Sequence, residues 1–331
     1  MKNEILDLLE KSIGKKIIFT HIGDPDGMFS AVELCKVLDL SDIQVIPIDH
    51  MVLKDEVVSG ILKKTDALAV IDIPPIGRSI KYYCDHHLSS KEQVEEYVLH
   101  GKIAHCYYDP KAPSAFSMVV KLAKILFNKT VDEKRAAIID RCDTAGYKTD
   151  APVSYGGFKS GDEAWQYDYL VRSSNDGPLE FIELFNKLME KDVHSLLPEY
   201  DPKIKEIIKK NAKVEEFASN IKTDTLTIVV GKDDEIVNRG LMFRIYKRSR
   251  CKVSVTIAPK EKGLLKIGFG TDPVIGDDEL DLYRVDTIAR SFGGGGHPRA
   301  SGCHIKESEL DDAIEKIKVH FSSLSCVVVK E

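Results

Sequence analysis

Short apolar runs alternate with amphipathic stretches along the first half of the chain. Residues 15–22 (KKIIFTHI), 43–49, 67–73 and 81–87 are apolar runs of strand length, and 27–40 has the apolar spacing of a helix. Strands that alternate with helices favour a parallel sheet covered by helices on both faces. We therefore predict an α/β fold for this half, with ligands gathered beyond the carboxyl ends of its strands.

The second half begins with charged helices and then returns to strands. Residues 160–219 have helical spacing, and Pro198 and Pro202 flank a predicted linker. Strand-like apolar runs follow at 225–231, 252–259, 264–270 and 326–330. This pattern predicts a second, smaller α/β domain. The predicted first domain, linker helix and second domain are 1–195, 196–219 and 220–331.

The composition limits the kind of protein without identifying it. The 331 residues suffice for two domains, and no apolar run approaches the roughly 20 residues of a membrane span. The charged, amphipathic N-terminus is unlike a signal peptide, so we expect a cytoplasmic protein. Seven scattered cysteines contain no CxxC pair, which argues against a disulfide framework or a zinc knuckle. The net charge of −6 argues against a broad basic face that coats long duplex nucleic acid.

The candidate chemistry begins where the first strand ends. His21, Asp24 and Asp26 lie within six residues and are followed by Gly27, a spacing that suits a turn folded around one cation. The alternative is a loop whose aspartates cap the next helix. Asp72 follows a wholly apolar run and precedes two prolines. It is either a turn-forming aspartate or a carboxylate held at the sheet edge.

Two further polar clusters follow apolar runs. Asp85, His86 and His87 come directly after the fourth strand, and adjacent side chains of an extended chain point in different directions. One histidine can therefore bind a metal while the other faces a substrate. Asp143 ends an apolar helix pattern, and Asp140 on the same helical face is a rival ligand. The alternative for these two is a polar helix end. We expect the clusters that follow strands to converge in space.

A glycine-rich segment lies near the end of the chain. The sequence SFGGGGHPRASG (291–302) contains four consecutive glycines followed by His297 and Arg299. Glycines let backbone amides approach an oxyanion closely, and a helix after them would add the positive end of its dipole. The alternative is a flexible loop. Because a cation and a histidine accompany the glycines, we favour anion binding.

Four polar clusters, taken in order, resemble the motifs of the DHH phosphoesterases: HIGDPDGMFSA, VIDIPP, DHH and DTAGY. The glycine-rich segment resembles the GGGHxxAxG signature of the C-terminal domain associated with that family. The family includes single-strand exonucleases, oligoribonucleases, phosphoadenosine-phosphate phosphatases, dinucleotide hydrolases and manganese pyrophosphatases. The resemblance spans nearly the whole chain and implies a catalytic DHH domain followed by a substrate-binding domain.

The resemblance also implies roles for individual residues. It places two divalent cations at the first site, Mn²⁺ in preference and Mg²⁺ as a substitute. One cation would be held by His21, Asp24 and Asp72, and the other by Asp26, Asp72, His86 and Asp143. His87 would contact the substrate or protonate its leaving group, and Asp85 would orient a histidine. In the second domain, the predicted substrate-binding residues are Gly294, Gly295, Gly296, His297, Arg299 and Arg239, the last preceded by Asn238.

The implied function is hydrolysis of a phosphate ester by a metal-activated water, as in a Mn²⁺-dependent phosphodiesterase or phosphatase of the nanoRNase kind. The expected substrates are short oligonucleotides, linear or cyclic dinucleotides, or phosphoadenosine phosphate, because two domains leave nothing for further nucleic-acid-binding modules. An exopolyphosphatase or pyrophosphatase is one alternative, since the basic segment 242–252 could bind an inorganic chain. A nucleotide-binding sensor is the alternative of another class. A homodimer remains open.

Overall fold

Five parallel strands form the sheet of the N-terminal part. The computed structural model describes residues 2–40, 42–174, 176–233, 235–237, 239–261, 263–276 and 278–331. The strands of this sheet are β1 Lys16–His21, β2 Ile43–Ile48, β3 Asp66–Ile71, β4 Ser79–Asp85 and β5 Ile103–Tyr108. They lie in the order β2-β1-β3-β4-β5, and each neighbouring pair is parallel. The parallel sheet predicted for this half is confirmed.

The chain divides into two compact units. The first consists of Met1–Asp150 with Tyr155–Ile207, and the second of Ala151–Ser154 with Ile208–Glu331. The helices of the first unit are α1 Lys2–Lys11, α2 Pro25–Leu38, α3 His50–Leu53, α4 Glu56–Leu62, α5 Lys91–Leu99, α6 Ala115–Phe127, α7 Glu133–Asp143, α8 Tyr155–Ser160, α9 Glu163–Arg172 and α10 Pro178–Glu190. A long helix, α11 Val193–Asn220, passes from the first unit into the second.

Helices cover both faces of the first sheet, as predicted. Phe19 of β1 lies in a buried cluster with apolar residues of α1, α4 and α5. The next residue, Thr20, donates a hydrogen bond of 2.7 Å to the carbonyl of Gly27 in α2. Because successive residues of a strand point to opposite faces, α2 lies on the other side of the sheet from α1.

Side-chain caps explain where the helices nearest the sheet edge begin. Asp24 precedes α2 and accepts a hydrogen bond from the Gly27 amide, and Ser114 precedes α6 and accepts one from the Ser117 amide. Asp132 does the same for the first amides of α7. A cap oxygen satisfies amides that lack a partner within the helix, so these residues set the helix starts.

The connection from β3 to β4 is unusually short for parallel neighbours. Only residues 72–78 lie between the end of β3 and the start of β4. Parallel strands require a return along their whole length, which a helix normally provides. Here seven residues, at up to roughly 3.3 Å per residue, are long enough to make the return without a helix. The end of β3 and the end of β4 are therefore close both in sequence and in space.

The linker predicted between Pro198 and Pro202 is part of a helix. Both prolines lie inside α11, which continues through them to Asn220. The buried residues Leu197 and Ile204 pack the helix on either side of the second proline. Tertiary packing of the apolar face therefore outweighs the local preference of proline for a helix start.

The second unit contains a mixed six-stranded sheet. Its strands are β6 Leu226–Val230, β7 Val253–Glu261, β8 Leu264–Thr271, β9 Gly295–His297, β10 Ala300–Lys306 and β11 Cys326–Lys330, in the order β11-β6-β7-β8-β10-β9. Its helices are α12 Arg239–Arg248, α13 Asp286–Arg290 and α14 Leu310–His320. The smaller α/β unit predicted for this half is confirmed. Among the described residues, none of the helices combines the length and apolar character needed to cross a membrane.

Candidate metal centre

The turn after β1 brings His21 against the start of α2. His21 is the last residue of β1, and its Nδ1 contacts Asp24 Oδ2 and lies 3.6 Å from Asp72 Oδ2. A Cβ at Gly27 would lie 2.5 Å from the His21 carbonyl oxygen, so only glycine fits there. The glycine of the HIGDPDG cluster is thus explained by the close approach of the helix to the strand end.

Asp26 lies in the first turn of α2 and is 1% exposed. Its two oxygens accept hydrogen bonds of 2.6 and 2.8 Å from the amides of Ala115 and Phe116, at the start of α6. Oδ1 also accepts one of 3.1 Å from the Ser30 hydroxyl. These bonds fix the orientation of the carboxylate, and Oδ2, which accepts only one of them, retains a lone pair for a cation.

Asp72 lies at the centre of the site. It follows β3, is 1% exposed and has a left-handed backbone with φ of 60°, which aspartate tolerates better than most residues. Its amide donates a hydrogen bond of 2.9 Å to the carbonyl of Cys84 in β4. Within the described part of the chain, Asp72 Oδ1 is a buried oxygen without a hydrogen-bond partner. Such an atom is costly unless a cation or water compensates it.

His86 presents one ring nitrogen to the carboxylates. Its Nδ1 lies 3.0 Å from the carbonyl oxygen of Ala112, which can only accept, so Nδ1 carries the proton. In the neutral imidazole Nε2 then carries the lone pair, and this atom faces the acidic cluster. It lies 3.6 Å from Asp26 Oδ2, 3.7 Å from Asp72 Oδ1 and 3.4 Å from Asp143 Oδ2. A histidine held through one nitrogen while the other faces acidic groups is the usual arrangement of a metal ligand.

Asp85 and His87 form a hydrogen-bonded pair beside this cluster. Asp85 Oδ1 lies 2.8 Å from His87 Nδ1, and the same oxygen accepts a hydrogen bond from the His87 amide. His87 Nδ1 is also 3.6 Å from Asp72 Oδ1. Asp85 thus holds the imidazole of His87 against the edge of the acidic cluster.

Asp143 and Asp140 have different surroundings, although both lie in α7. Asp143 ends the helix with its carboxylate near His86 Nε2. Asp140 Oδ1 instead accepts a hydrogen bond of 3.0 Å from Ser117 and another from Ser114. These bonds direct Asp140 to the start of α6, so the rival ligand has a structural function there.

The ligand atoms form two overlapping groups within the first unit. One contains His21, Asp24 and Asp72, and the other contains Asp26, Asp72 and His86, with the atoms of each group within 4.8 Å of one another. Asp72 belongs to both. A third group joins Asp72 to Asp85 and His87, but the hydrogen bond between the latter two already uses their facing atoms. The side chains expected to converge do lie together.

Burial and mutual repulsion raise the pKa values of the central carboxyls. Burial, together with the charge of Asp143, raises the pKa of Asp26 to about 7. Burial and the charges of Asp26 and Asp24 raise the pKa of Asp72 well above its ordinary value. Several carboxylates packed this closely in a dry site repel one another. Divalent cations at the two ligand groups would relieve that repulsion, so the residues fit a divalent metal centre.

The pKa values of the two histidines at the edges of the acidic cluster are also raised, here against the effect of burial. Burial alone would lower the pKa of His21, but the neighbouring Asp24 carboxylate outweighs it, and the pKa is raised. Burial likewise works against protonated His87, yet Asp85 raises the pKa of His87 to about 10. Burial would raise the pKa of Asp85, but the charge of His87 lowers it. The Asp85–His87 pair is therefore stabilised as an ion pair.

The glycine-rich segment of the second unit forms a hairpin. β9 and β10 pair antiparallel, with Gly295 opposite Gly302 and His297 opposite Ala300. A Cβ at Gly294 would lie 2.1 Å from the Gly302 carbonyl oxygen. A strand follows the glycines, so they gain no helix dipole, and tight strand pairing fixes them instead.

The other residues predicted to bind substrate lie in the second unit as well. Arg299 is in the turn of the hairpin, where its carbonyl accepts a hydrogen bond of 2.9 Å from the Thr271 amide. The carbonyl of His297 accepts one of 2.7 Å from the Ser301 hydroxyl. Arg239 begins α12, but its side chain, like the whole of Asn238, lies outside the described residues. The binding roles of these residues stay predictions.

Two contributors to the first site were not predicted from the sequence. Ala112 acts only through its backbone carbonyl, for which no side-chain signal exists. Tyr83 donates a hydrogen bond of 2.8 Å to Asp85 Oδ2 from two residues earlier in β4. Residues two apart in a strand point to the same face, so the sequence could have indicated the contact between Tyr83 and Asp85.

Several solved structures have a similar fold, and the similarity covers nearly the whole of this chain. PggH, a pGpG-specific phosphodiesterase from Vibrio cholerae, has a TM-score of 0.57 at 15% identity and covers 93% of this chain and 99% of its own. RecJ from Thermus thermophilus in complex with Mn²⁺ has a TM-score of 0.56 at 14% identity, over 100% of this chain and 56% of that chain. The DHH domain of a member of the s1p family of ribosomal proteins has a TM-score of 0.50 at 13% identity, over 96% and 92% of the two chains. The chain has the DHH fold.

Sequence comparison adds nothing to this assignment. No family model matches the chain, and no curated protein matches it. With identities of 15% or less, the three structures show the fold of this chain and not its activity. A shared fold does not determine the reaction, which depends on the side chains of the site.

Proposed function

We propose that this chain is a metal-dependent phosphoesterase. The observation that carries the proposal is the pair of ligand groups that share Asp72, with His21 and Asp24 on one side and Asp26 and His86 on the other. Two cations bridged by one carboxylate suit the displacement of a phosphate ester, because both the attacking and the leaving oxygen carry negative charge. A phosphodiesterase and a Mn²⁺-containing RecJ among the structures of similar fold support the proposal.

The residues of the centre have separate tasks in this reaction. When bound, the cations would polarise the phosphoryl oxygens and lower the pKa of the attacking water. Carboxylates suit Mg²⁺ and Mn²⁺ alike, and the imidazoles of His21 and His86 favour Mn²⁺. His87, held by Asp85, would donate a hydrogen bond to a phosphate oxygen or a proton to the leaving group.

Short nucleotides are the proposed substrates in preference to polyphosphate. An inorganic chain needs a dense set of uncommitted cations, for which the basic segment 242–252 was the candidate. Within the second unit, Arg244 and Arg248 of that segment both bind Glu215, with Arg244 Nε at 2.7 Å. Two of the five cations in this segment are therefore committed to one glutamate, which favours substrates that are recognised through a sugar or base as well as a phosphate.

A substrate panel tests the proposal. Purified protein with Mn²⁺, Mg²⁺ or excess EDTA is incubated with a 5′-phosphorylated dinucleotide, short RNA, a cyclic dinucleotide, phosphoadenosine phosphate, polyphosphate and long duplex DNA, and kcat/KM is compared. We expect metal-dependent hydrolysis of one of the short nucleotides, and none of duplex DNA. Hydrolysis of polyphosphate alone would establish the inorganic alternative. Nucleotide binding without hydrolysis in any metal would indicate a sensor.

A further inference from the structure

A buried tyrosine continues the hydrogen-bonded chain that ends at His87. Tyr83 is 0% exposed, and its hydroxyl donates a hydrogen bond of 2.8 Å to Asp85 Oδ2. Asp85, also 0% exposed, uses its other oxygen for His87 Nδ1 at 2.8 Å. The two oxygens of one carboxylate thus connect a tyrosine in the core with a histidine at the site.

The strand geometry accounts for this connection. Tyr83 and Asp85 are two residues apart in β4 and therefore point to the same face of the sheet. The torsion that rotates an aspartate carboxylate has a broad energy profile, and the amide and ring of His87 both bind only one oxygen of Asp85, so the bond from Tyr83 anchors the other. With Oδ1 bound to His87 and Oδ2 bound to Tyr83, rotation of the Asp85 carboxylate would break one of the two bonds.

Packing alone does not explain the hydroxyl of Tyr83. The ring lies in the apolar cluster beneath the sheet, where phenylalanine would pack equally well. A buried hydroxyl must find a partner, since leaving it without one is costly. The Ile73 carbonyl lies 3.2 Å away, farther than the Asp85 oxygen. A carboxylate is the stronger acceptor, so Asp85 is the principal partner.

We propose that Tyr83 is a positioning residue for the reaction, which acts by fixing the Asp85 carboxylate and through it the orientation of His87. The inference rests on the proposed phosphoesterase function and names a residue outside the metal centre that this function depends on. The proposed role belongs to the Tyr83 hydroxyl and not to its ring.

The test compares two tyrosine-to-phenylalanine variants from one core cluster. Tyr83→Phe removes the hydroxyl that binds Asp85. Tyr97→Phe is the matched control, because Tyr97 lies in the same cluster and its hydroxyl lies 3.3 Å from the Gly77 carbonyl. With Mn²⁺ and a 5′-phosphorylated dinucleotide, we expect kcat of Tyr83→Phe to fall about 10-fold, or about 1.4 kcal/mol, with KM unchanged. Tyr97→Phe should keep both constants.

Thermal unfolding separates positioning from a merely structural role. A structural hydroxyl would lower Tm in both variants and leave kcat of the folded proteins alike. Equal kcat values for Tyr83→Phe and Tyr97→Phe would therefore overturn the inference.

A spectroscopic measurement tests the same link without turnover. In protein with Mg²⁺ and ¹⁵N-labelled histidine, the His87 Nδ1 proton should resonate downfield because of its bond to Asp85. We expect this resonance to move in Tyr83→Phe and to stay in place in Tyr97→Phe. If Tyr83→Phe does not fold, 3-fluorotyrosine at position 83, with its more acidic hydroxyl, should move the signal, and an unmoved signal would refute the link. Failure of the wild-type protein to hydrolyse any substrate would instead refute the proposed function, whatever the resonance shows.

Discussion

The Ala112 carbonyl holds the imidazole of His86, with 3.0 Å between its oxygen and Nδ1. A metal ligand of the proposed centre is therefore oriented by the backbone of the loop after β5. The carbonyl selects the tautomer in which Nε2 can bind a cation, and no substitution of the Ala112 side chain removes that oxygen. The orientation of His86 consequently depends on the path of the loop.

Asp72→Asn should abolish the proposed activity without unfolding the protein. Asparagine tolerates the left-handed backbone at this position but lacks the charge that both ligand groups share. We expect kcat/KM to fall by several orders of magnitude and Mn²⁺ binding, measured by calorimetry, to weaken. The control is Asp66→Asn at the first residue of β3, where the carboxylate binds Arg78. Near-wild-type turnover in Asp72→Asn would contradict the assignment of the centre.

Cation binding should stabilise the fold more at higher pH. In the metal-free protein, the pKa of Asp26 is about 7, above the roughly 3.9 of an unfolded aspartate. Its protonated form therefore stabilises the fold below about pH 4, and this contribution is lost as pH rises through about 7. Bound cations remove that loss and compete with protons for the same oxygens. The Tm gain from Mn²⁺ over EDTA should increase from pH 6 to pH 8, and a flat or reversed trend would count against a carboxylate centre.

Gly27→Ala should destabilise the first unit. The added methyl group would lie 2.5 Å from the His21 carbonyl oxygen, which forces α2 away from the strand end. We expect the free energy of unfolding, measured in urea, to fall by about 1 to 3 kcal/mol, as for other overpacked sites. Gly60→Ala in α4 is the matched control, because the added Cβ would meet no atom within 4 Å apart from the backbone of its own helix. It should stabilise the helix by about 0.5 to 1 kcal/mol, and equal effects in the two variants would refute the steric explanation.

Asp286→Asn should destabilise the second unit in a pH-dependent way. Asp286 is 0% exposed and binds Arg284 and Arg290, with contacts of 2.7 to 3.0 Å. Burial would raise the pKa of Asp286, but Arg284 outweighs it and the pKa is lowered. A lowered pKa means stability that is present above about pH 4 and is lost as pH falls through the folded-state value.

We expect Asp286→Asn to cost about 2 kcal/mol at pH 7, discounted for the partial exposure of both arginines. The difference from wild type should shrink toward pH 3. Asp281→Asn serves as the control, since this exposed aspartate also contacts Arg284 but at 3.6 Å. It should change stability by less than about 0.5 kcal/mol. A pH-independent loss in Asp286→Asn would show that packing, not charge, is responsible.

Arg299→Ala should weaken substrate binding more than it slows turnover. Arg299 lies in the turn between β9 and β10, on the segment that resembles the GGGHxxAxG signature. If it contacts the substrate in both the ground and transition states, KM should rise while kcat changes little. Lys306→Ala at the far end of β10 is the control. An unchanged KM for Arg299→Ala would exclude the residue from the binding site.

The parts of the site that follow strand ends could be predicted from the sequence. His21, Asp72 and the Asp85–His87 cluster each come after a buried apolar run, and the topology of a parallel sheet then brings them to one edge. The metal-competent arrangement therefore follows from the order of strands and the residue types at their ends. The pairing of particular atoms, such as His86 Nε2 with Asp26, depends on packing that no pattern encodes.

Two strands have no sequence pattern that predicts them. β5, an edge strand with the sequence IAHCYY, is only partly buried and mixes polar and apolar residues, so no strand is predicted there. The short strand β9 consists of glycines and a histidine, which are typical of a loop. In both places, pairing with a neighbouring strand decides the structure, and the local sequence does not.

The short return between β3 and β4 has a mechanical consequence for the metal centre. Asp72 is the first of the seven residues between these strands, and its amide is bonded to the Cys84 carbonyl of β4. The backbone at Asp72 is therefore tied to both strands. Loss of a bound cation would leave the carboxylate that both ligand groups share anchored at the edge of the sheet.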